Sequence, residues 1–220
     1  MGRLYVETLI RADVDRVWSR TQDPAMHQRW DARFGAIRYL PGTAPQRFRY
    51  STCGLAGFGV TSGERHRPDG SRVCALRFTS DHPMSPIRSG AGYWRYTPTP
   101  DGVRFATGYD YRPGCVAVAD VGVRPLLHWL TAWSFDRLRL WLETGVSPER
   151  ARNRAIAETA VRIGGVLLVA SRFGIGAAAL VAAVVLTVPP RPGTPAARRT
   201  LRRRPDDDTV PVLLRRLVTP

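Results

Sequence analysis

The stretch GYWRYTPTPDGVRFATGYDY, residues 92–111, reads as two strands folded about a turn. In GYWRY (92–96), Trp94 and Tyr96 fall on one side and Tyr93 and Arg95 on the other. After TPTPDG, the segment VRFATGYDY (103–111) sets Arg104, Phe105, Thr107, Tyr109 and Tyr111 against them. Period-two alternation bounded by Pro and Gly is what a half-buried hairpin requires. Toward the N-terminus the same period recurs. It is present in residues 4–10, with Leu4, Val6, Thr8 and Ile10 on one side, and at Ile37/Tyr39, Phe48/Tyr50/Thr52, Phe58/Val60 and Cys74/Leu76/Phe78. Turn chemistry separates these runs at Pro41-Gly42, Gly54 to Gly57, Pro68-Asp69-Gly70 and Pro83 to Pro86. Asp13 and Asp23-Pro24 have the character of helix starts, the second with Pro at the first helical position and an end near Asp31.

Toward the C-terminus a long helix is predicted over residues 120–143. At 100° per residue, Leu126, Leu130, Trp133, Leu140 and Trp141 share one broad face with Trp129 at its edge, while His128, Arg139 and Glu143 lie opposite. Gly145, Ser147 and Pro148 stop it. One strand, two short helices, six strands and a long helix make an α+β pattern.

Composition sets the boundary of that unit. Of the 20 Phe, Trp and Tyr, only Phe173 lies beyond residue 145, so the first two-thirds of the chain holds the material for a core. All 33 basic residues are Arg. The net charge of +15 is densest in the tail. Genome bias accounts for all-Arg usage; phosphate or anionic-lipid binding is the functional alternative. Cys53, Cys74 and Cys115 are odd in number and form no CxxC pair, which argues against a disulfide framework or zinc site and for reduced thiols in a cytoplasmic setting. The charged opening MGRLYVETLIRADVDR has no signal-peptide run.

Three stretches, DPAMHQRWDARF (23–34), GYWRY with RFATGYDYR (92–96 and 104–112) and TAWSFDRLRLWLE (131–143), resemble the START-like superfamily, which includes the SRPBCC and polyketide cyclase/dehydrase groups. The resemblance covers about residues 1–145. It implies a helix-grip fold: a curved seven-stranded antiparallel sheet, two short helices, and a long C-terminal helix over an apolar cavity. Its members bind lipids, sterols or polyketides, and some catalyse cyclisation or dehydration. No universal catalytic motif comes with the resemblance, so catalytic residues stay unassigned. The expectation is binding or carriage of a hydrophobic small molecule without cofactor or metal. A cyclase/dehydratase- or hydrolase-type enzyme using the same cavity is the alternative.

The candidate ligand-binding residues follow from the wheel and the strand parity. Arg137 projects into the apolar stripe, between Leu126 and Leu130, where a guanidinium must find an anion. That anion is either a sheet carboxylate, Asp110 first, or a ligand carboxylate, enolate or phosphate, with Ser134 sharing the task. Leu130, Trp133 and Trp141 on the helix, with Trp94, Tyr96 and Tyr109 on the sheet, make aromatic walls that also describe an ordinary core. His27 with Asp31 at i+4 makes either an acid/base dyad or a local packing and capping pair. Cys115, near a helix start, is read as an ordinary buried thiol or as one of lowered pKa. GFGVTSG (57–63) looks like a phosphate loop but lacks the GKS/GKT ending and a following helix.

The chain then divides into a basic helical linker (146–162), a hydrophobic segment (163–188) and an Arg/Pro-rich tail (189–220) expected to be disordered. The segment carries one charge, Arg172. Three arrangements are open: a single membrane span, a hairpin bending near Gly174 and Gly176 or an interfacial helix, and a helix buried on the domain or a partner. Arg150, Arg152, Arg154 and Arg162 stand upstream and Arg191 with Arg198–Arg204 downstream, so a single span would expel a basic flank against the positive-inside tendency. The expected setting is a cytoplasmic domain on the inner face of the cell membrane, with RRTLRRR (198–204) on anionic headgroups. A tail without aromatics argues against nucleic acid.

Overall fold

The computed structural model describes residues 4–43, 45–52, 54–114, 120–205 and 211. Strand β1 (Leu4–Ile10) leads into α1 (Val14–Gln22) and α2 (Pro24–Trp30). The Asp13 carboxylate accepts from the Arg16 amide at 2.7 Å and that of Asp23 from the Ala25 amide at 2.8 Å, satisfying N–H groups that helix starts leave orphaned. Strands β2 (Ala36–Tyr39), β3 (Arg47–Thr52), β4 (Leu55–His66), β5 (Arg72–Thr79), β6 (Ile87–Thr99) and β7 (Gly102–Pro113) follow, then α3 (Asp120–Thr144). The sheet is antiparallel throughout, in the order β1-β7-β6-β5-β4-β3-β2. Between β6 and β7 the ladder runs to Thr99↔Gly102, so only Pro100 and Asp101 are left to turn. The TPTPDG loop is strand for most of its length.

Helix α3 lies on the concave face of the sheet. Phe135 stacks on Phe105 with centroids 4.5 Å apart, and Trp30, Trp94, Leu138 and Leu142 complete the same core. Phe135→Ala would cost roughly 3–5 kcal/mol on that account. The helix is rotated from its sequence-predicted face. Thr131, Phe135, Leu138 and Leu142 are buried, whereas Leu126 and Trp129 are 55% and 46% exposed. Large apolar residues occur nearly all around this helix, and the one fully buried ring, Phe135, decides which side meets the sheet. His128, expected to face solvent, lies 2.8 Å from the Tyr5 carbonyl by its Nε2.

Linker and hydrophobic segment form one element, α4 (Pro148–Thr187), broken at Gly174. Gly174 has φ 82° and ψ 173°, a conformation glycine alone adopts at low cost. There the chain doubles back. Arg162 donates to the carbonyls of Val185 (2.8 Å), Val188 (2.9 Å) and Pro189 (3.1 Å). The second arm therefore ends against the first, with a cation capping its C-terminal carbonyls. The arms are not buried on the domain: Phe173, Ile175 and Leu186 are 76%, 85% and 83% exposed.

The expectation of a disordered tail does not hold for Pro189–Pro205. Those residues return to the domain as a strap. Thr194, Ala196, Ala197 and Thr200 are buried, Ala197–Arg199 form a 3-10 turn, and Leu201 exchanges two 2.8 Å backbone hydrogen bonds with Glu7 on edge strand β1. The anchor is Asp136 of α3, with no side-chain exposure. It accepts from Arg139 Nε (2.7 Å), the Ala196 amide (2.8 Å) and Arg199 Nη1 (3.0 Å). Arg199, expected on headgroups, is thereby engaged within the protein; Arg198, Arg202 and Arg203 are exposed.

Candidate functional site

Between the concave face and the helices lies an open-mouthed cavity of about 140 Å³. Its wall follows from a pattern in the strand register. Tyr50 is paired with Gly57, Phe48 with Gly59, Phe78 with Gly90 and Tyr109 with Gly92. At each glycine an added Cβ would fall onto the paired aromatic residue. The rings of Tyr50, Phe48 and Phe78 therefore lie across the neighbouring strand, over glycines where a side chain would displace them, while at Gly92 the close approach is to the Tyr109 Cβ and backbone. The four aromatics, with Ile37, Leu76 and Leu127, leave a mostly apolar lining.

The charged and titratable corner of the wall comes from α2 and the turn after it, while Thr21, Gln22, Thr61, Ser80, Ser85 and Thr107 add hydroxyl and amide groups elsewhere. His27 Nε2 lies 3.0 Å from Asp31 Oδ2, and Arg33 grips the same carboxylate with Nη2–Oδ2 2.6 Å and Nε–Oδ1 2.9 Å. The Asp31 side chain has no exposure, while His27 and Arg33 belong to the wall. Burial alone would raise the Asp31 carboxyl, yet the Arg33 charge and hydrogen bonds hold it well below the usual carboxylate range. Burial pushes His27 below the ordinary histidine value despite Asp31, so the ring is neutral. It is stacked on Trp30 at 5.0 Å and meets Trp94 edge-on at 4.7 Å. Of the two sequence alternatives for His27 and Asp31, the packed pair and the dyad geometry are both present.

Among the residues singled out from the sequence, Trp94 and Tyr109 are in the wall. Tyr96 is buried beside it, its hydroxyl held by Thr21 (2.7 Å) and Gln22 (2.9 Å). Ser134 Oγ accepts from the Ala32 amide at 2.9 Å and fixes the turn that carries Arg33. Leu130, Trp133, Arg137 and Trp141 are not brought to the cavity, because the rotation of α3 turns their stripe aside. Trp141 instead meets the guanidinium groups of Arg20 and Arg29 at 4.6 and 4.8 Å.

Arg137 does not pair with Asp110. Its Nη2 donates to the carbonyls of Arg29 (2.7 Å) and Pro148 (3.1 Å), and its guanidinium lies over Trp133 at 4.8 Å. Burial pushes its pKa down to about 10. Asp110 alternates away from the side that Tyr109 occupies, accepts from the Tyr111 amide at 2.9 Å and has the Arg124 guanidinium 4.0 Å away.

Sequence reading missed the glycine–aromatic pairs and Arg33. The signal for the first was present: glycines two apart, Gly57/Gly59 and Gly90/Gly92, put both members on one face of a strand. GFGVTSG is accordingly part of β4, not a phosphate loop. Among the described residues no His, Cys, Asp and Glu cluster could hold a metal ion. Cys74 is buried; Cys53 and Cys115, with the expectations attached to them, lie outside the described residues.

A curved antiparallel sheet gripping a long helix around an apolar cavity is a START-like helix-grip domain. The family of polyketide cyclase/dehydrase and lipid transport proteins matches residues 1–143, and this chain belongs to it. The uncharacterised membrane protein YndG of Bacillus subtilis is 40% identical over 165 residues, covering 70% of this chain. The chain spans 62% of the length of that relative. Similar solved structures include a STAR-related lipid transfer protein of Xanthomonas axonopodis, 18% identical with TM-score 0.47, covering 63% of this chain and 84% of that one. Another is a Chromobacterium violaceum protein, 14% identical with TM-score 0.45, covering 64% and 96%.

Proposed function

We propose that the protein binds a hydrophobic small molecule in the cavity and does so at a membrane in which the α4 hairpin is embedded. The observation that carries the first part is the set of aromatic residues packed over glycines, which keeps an apolar wall unfilled. An apolar space of this size takes a ring or a short acyl segment, and the open mouth lets a longer molecule extend outward. Family membership supports the same reading.

The membrane part rests on the hairpin. Its two arms, 163–171 and 175–187, are about 14–20 Å long at 1.5 Å per residue, roughly half of a ~30 Å hydrocarbon core. Both ends return to the domain, since the strap reaches Asp136 and β1. A single span would carry the strap across the bilayer and forfeit those contacts. A hairpin dipping into one leaflet keeps every flanking Arg on the domain side, the arrangement the positive-inside tendency favours. Exposed Arg198, Arg202 and Arg203 are then available to anionic headgroups. The name of the Bacillus subtilis relative is consistent with this.

A second reading, acid–base chemistry in the same cavity, is favoured by the His27–Asp31 pair alone.

Two measurements test the proposal. Titrated with naphthalene, the full chain in lipid nanodiscs should show saturable binding by isothermal titration calorimetry beyond the linear partition of empty discs. In flotation with anionic vesicles the chain should rise with lipid, and Arg172→Leu should strengthen this. An Arg drawn toward mid-bilayer at the hairpin tip costs about 2.5–3.5 kcal/mol. Linear partition alone would refute the cavity reading, and protein left at the bottom of the gradient would refute the embedded hairpin.

A further inference from the structure

The polar corner of the cavity restricts what the apolar ligand carries. The Asp31 carboxylate is shared by two donors, His27 and Arg33. Arg33 therefore spends its charge inside the protein. Its guanidinium also lies 5.5 Å from the ring centres of Phe34 and Tyr109. With a neutral imidazole, an ionised carboxylate and a guanidinium, the corner has no net charge. A ligand carboxylate on the remaining Arg33 N–H groups would set a second anion beside Asp31 with no further cation in the corner to balance it, which disfavours an anionic ligand.

His27 offers the complementary feature. A buried, ionised Asp31 is an acceptor only, so the imidazole proton sits on Nε2 and the ring's lone pair is left on Nδ1. No described residue donates to that nitrogen. The ring is held between Trp30 and Trp94, and His27 is part of the wall. We infer that His27, its tautomer fixed by Asp31, is the polar anchor of the cavity and accepts a hydrogen bond from a neutral hydroxyl on an otherwise apolar ligand. The ligand class is thus a phenol or lipid alcohol rather than a fatty acid or phosphate. Arg33 positions Asp31, and Asp31 positions His27; neither need touch the ligand.

The inference deepens the cavity reading above and rests on it. The test compares naphthalene, 2-naphthol and 2-naphthoate on the full chain in lipid nanodiscs, taking only saturable binding. The expected order is 2-naphthol tighter than naphthalene by about ten-fold, the scale of one buried hydrogen bond, with 2-naphthoate weakest. His27→Phe keeps a ring at this position and removes the acceptor, so it should bring the naphthol-to-naphthalene ratio to about one, the ratio and not the affinity for naphthalene itself being the readout. Nitrogen NMR of the wild-type imidazole supplies a readout that needs no variant. Nε2 should be protonated in the free protein, and Nδ1 should shift on adding 2-naphthol and stay put on adding naphthalene. Equal binding of naphthol and naphthalene, or tightest binding of naphthoate, overturns the hydroxyl anchor while leaving the cavity reading intact. Absence of saturable binding by all three overturns both.

Discussion

At His27 the packing and the titration make opposite demands. The ring is clamped by Trp30, Phe34 and Trp94, and its pKa is depressed by burial, with Arg33 opposing and Asp31 favouring its charge. A base depressed in the folded state binds fewer protons than the unfolded chain. Stability therefore rises with pH and falls as pH drops through the unfolded value of about 6.5. Asp31, whose pKa is also lowered, adds a further loss below about pH 4. Melting temperatures from about pH 7.5 to 5, the window around that value, should fall for the wild-type protein and stay flatter for His27→Phe; parallel curves would remove His27 from the account. Arg137 makes a second case. Its partners are two carbonyls, so Arg137→Met should cost roughly 1–3 kcal/mol through stranded acceptors and leave cavity affinity unchanged. A double-mutant cycle with Asp110→Asn should give coupling near zero, and coupling above about 1 kcal/mol would restore the ion pair. That Arg137 is buried was legible in the sequence, because it lies among apolar neighbours. Its partner was not. On a helix apolar nearly all round, the wheel does not say which side meets the sheet, and a carbonyl acceptor leaves no mark in composition.

Strands and helices were legible because each is written in local signals: alternation, Asp caps and turn residues. The α4 hairpin was legible as one of three arrangements, through Gly174 and the basic flanks. The strap was not. Its Pro- and Arg-rich composition is that of a disordered segment, and what orders it is nonlocal: Asp136, 60 positions earlier, and the edge of β1. That dependence predicts a concentrated weakness. Asp136→Ala removes the acceptor shared by Arg139, Arg199 and the Ala196 amide. The loss should be about 3 kcal/mol, at the low end for a buried pair because both guanidinium groups can reach water. Limited proteolysis between Pro189 and Pro205 should quicken by a larger factor than cleavage inside β6 or β7. Equal acceleration everywhere would mean that Asp136 supports the whole core rather than the strap.

For the whole molecule, two features are left without an apolar partner. The cavity is walled by aromatic rings that lie over Gly57, Gly59 and Gly90, and the hairpin is left uncovered by the domain that holds both its ends. Neither stabilises the fold as it stands, since a filled cavity and polar arms would be more favourable in water. Both acquire a purpose if the domain holds an apolar molecule while the hairpin rests in a leaflet. The most direct test is native mass spectrometry of the full chain purified from its own cells, alongside Gly59→Val. A Cβ at that position would lie 2.0 Å from the Phe48 ring, so this wall residue must shift and the cavity must change shape. The wild-type protein should carry one small molecule of defined mass at near 1:1 occupancy. Gly59→Val, with its circular dichroism unchanged, should carry little or none. A wild-type protein without bound small molecule, or equal occupancy in both proteins, would contradict the claim that this cavity is a ligand site.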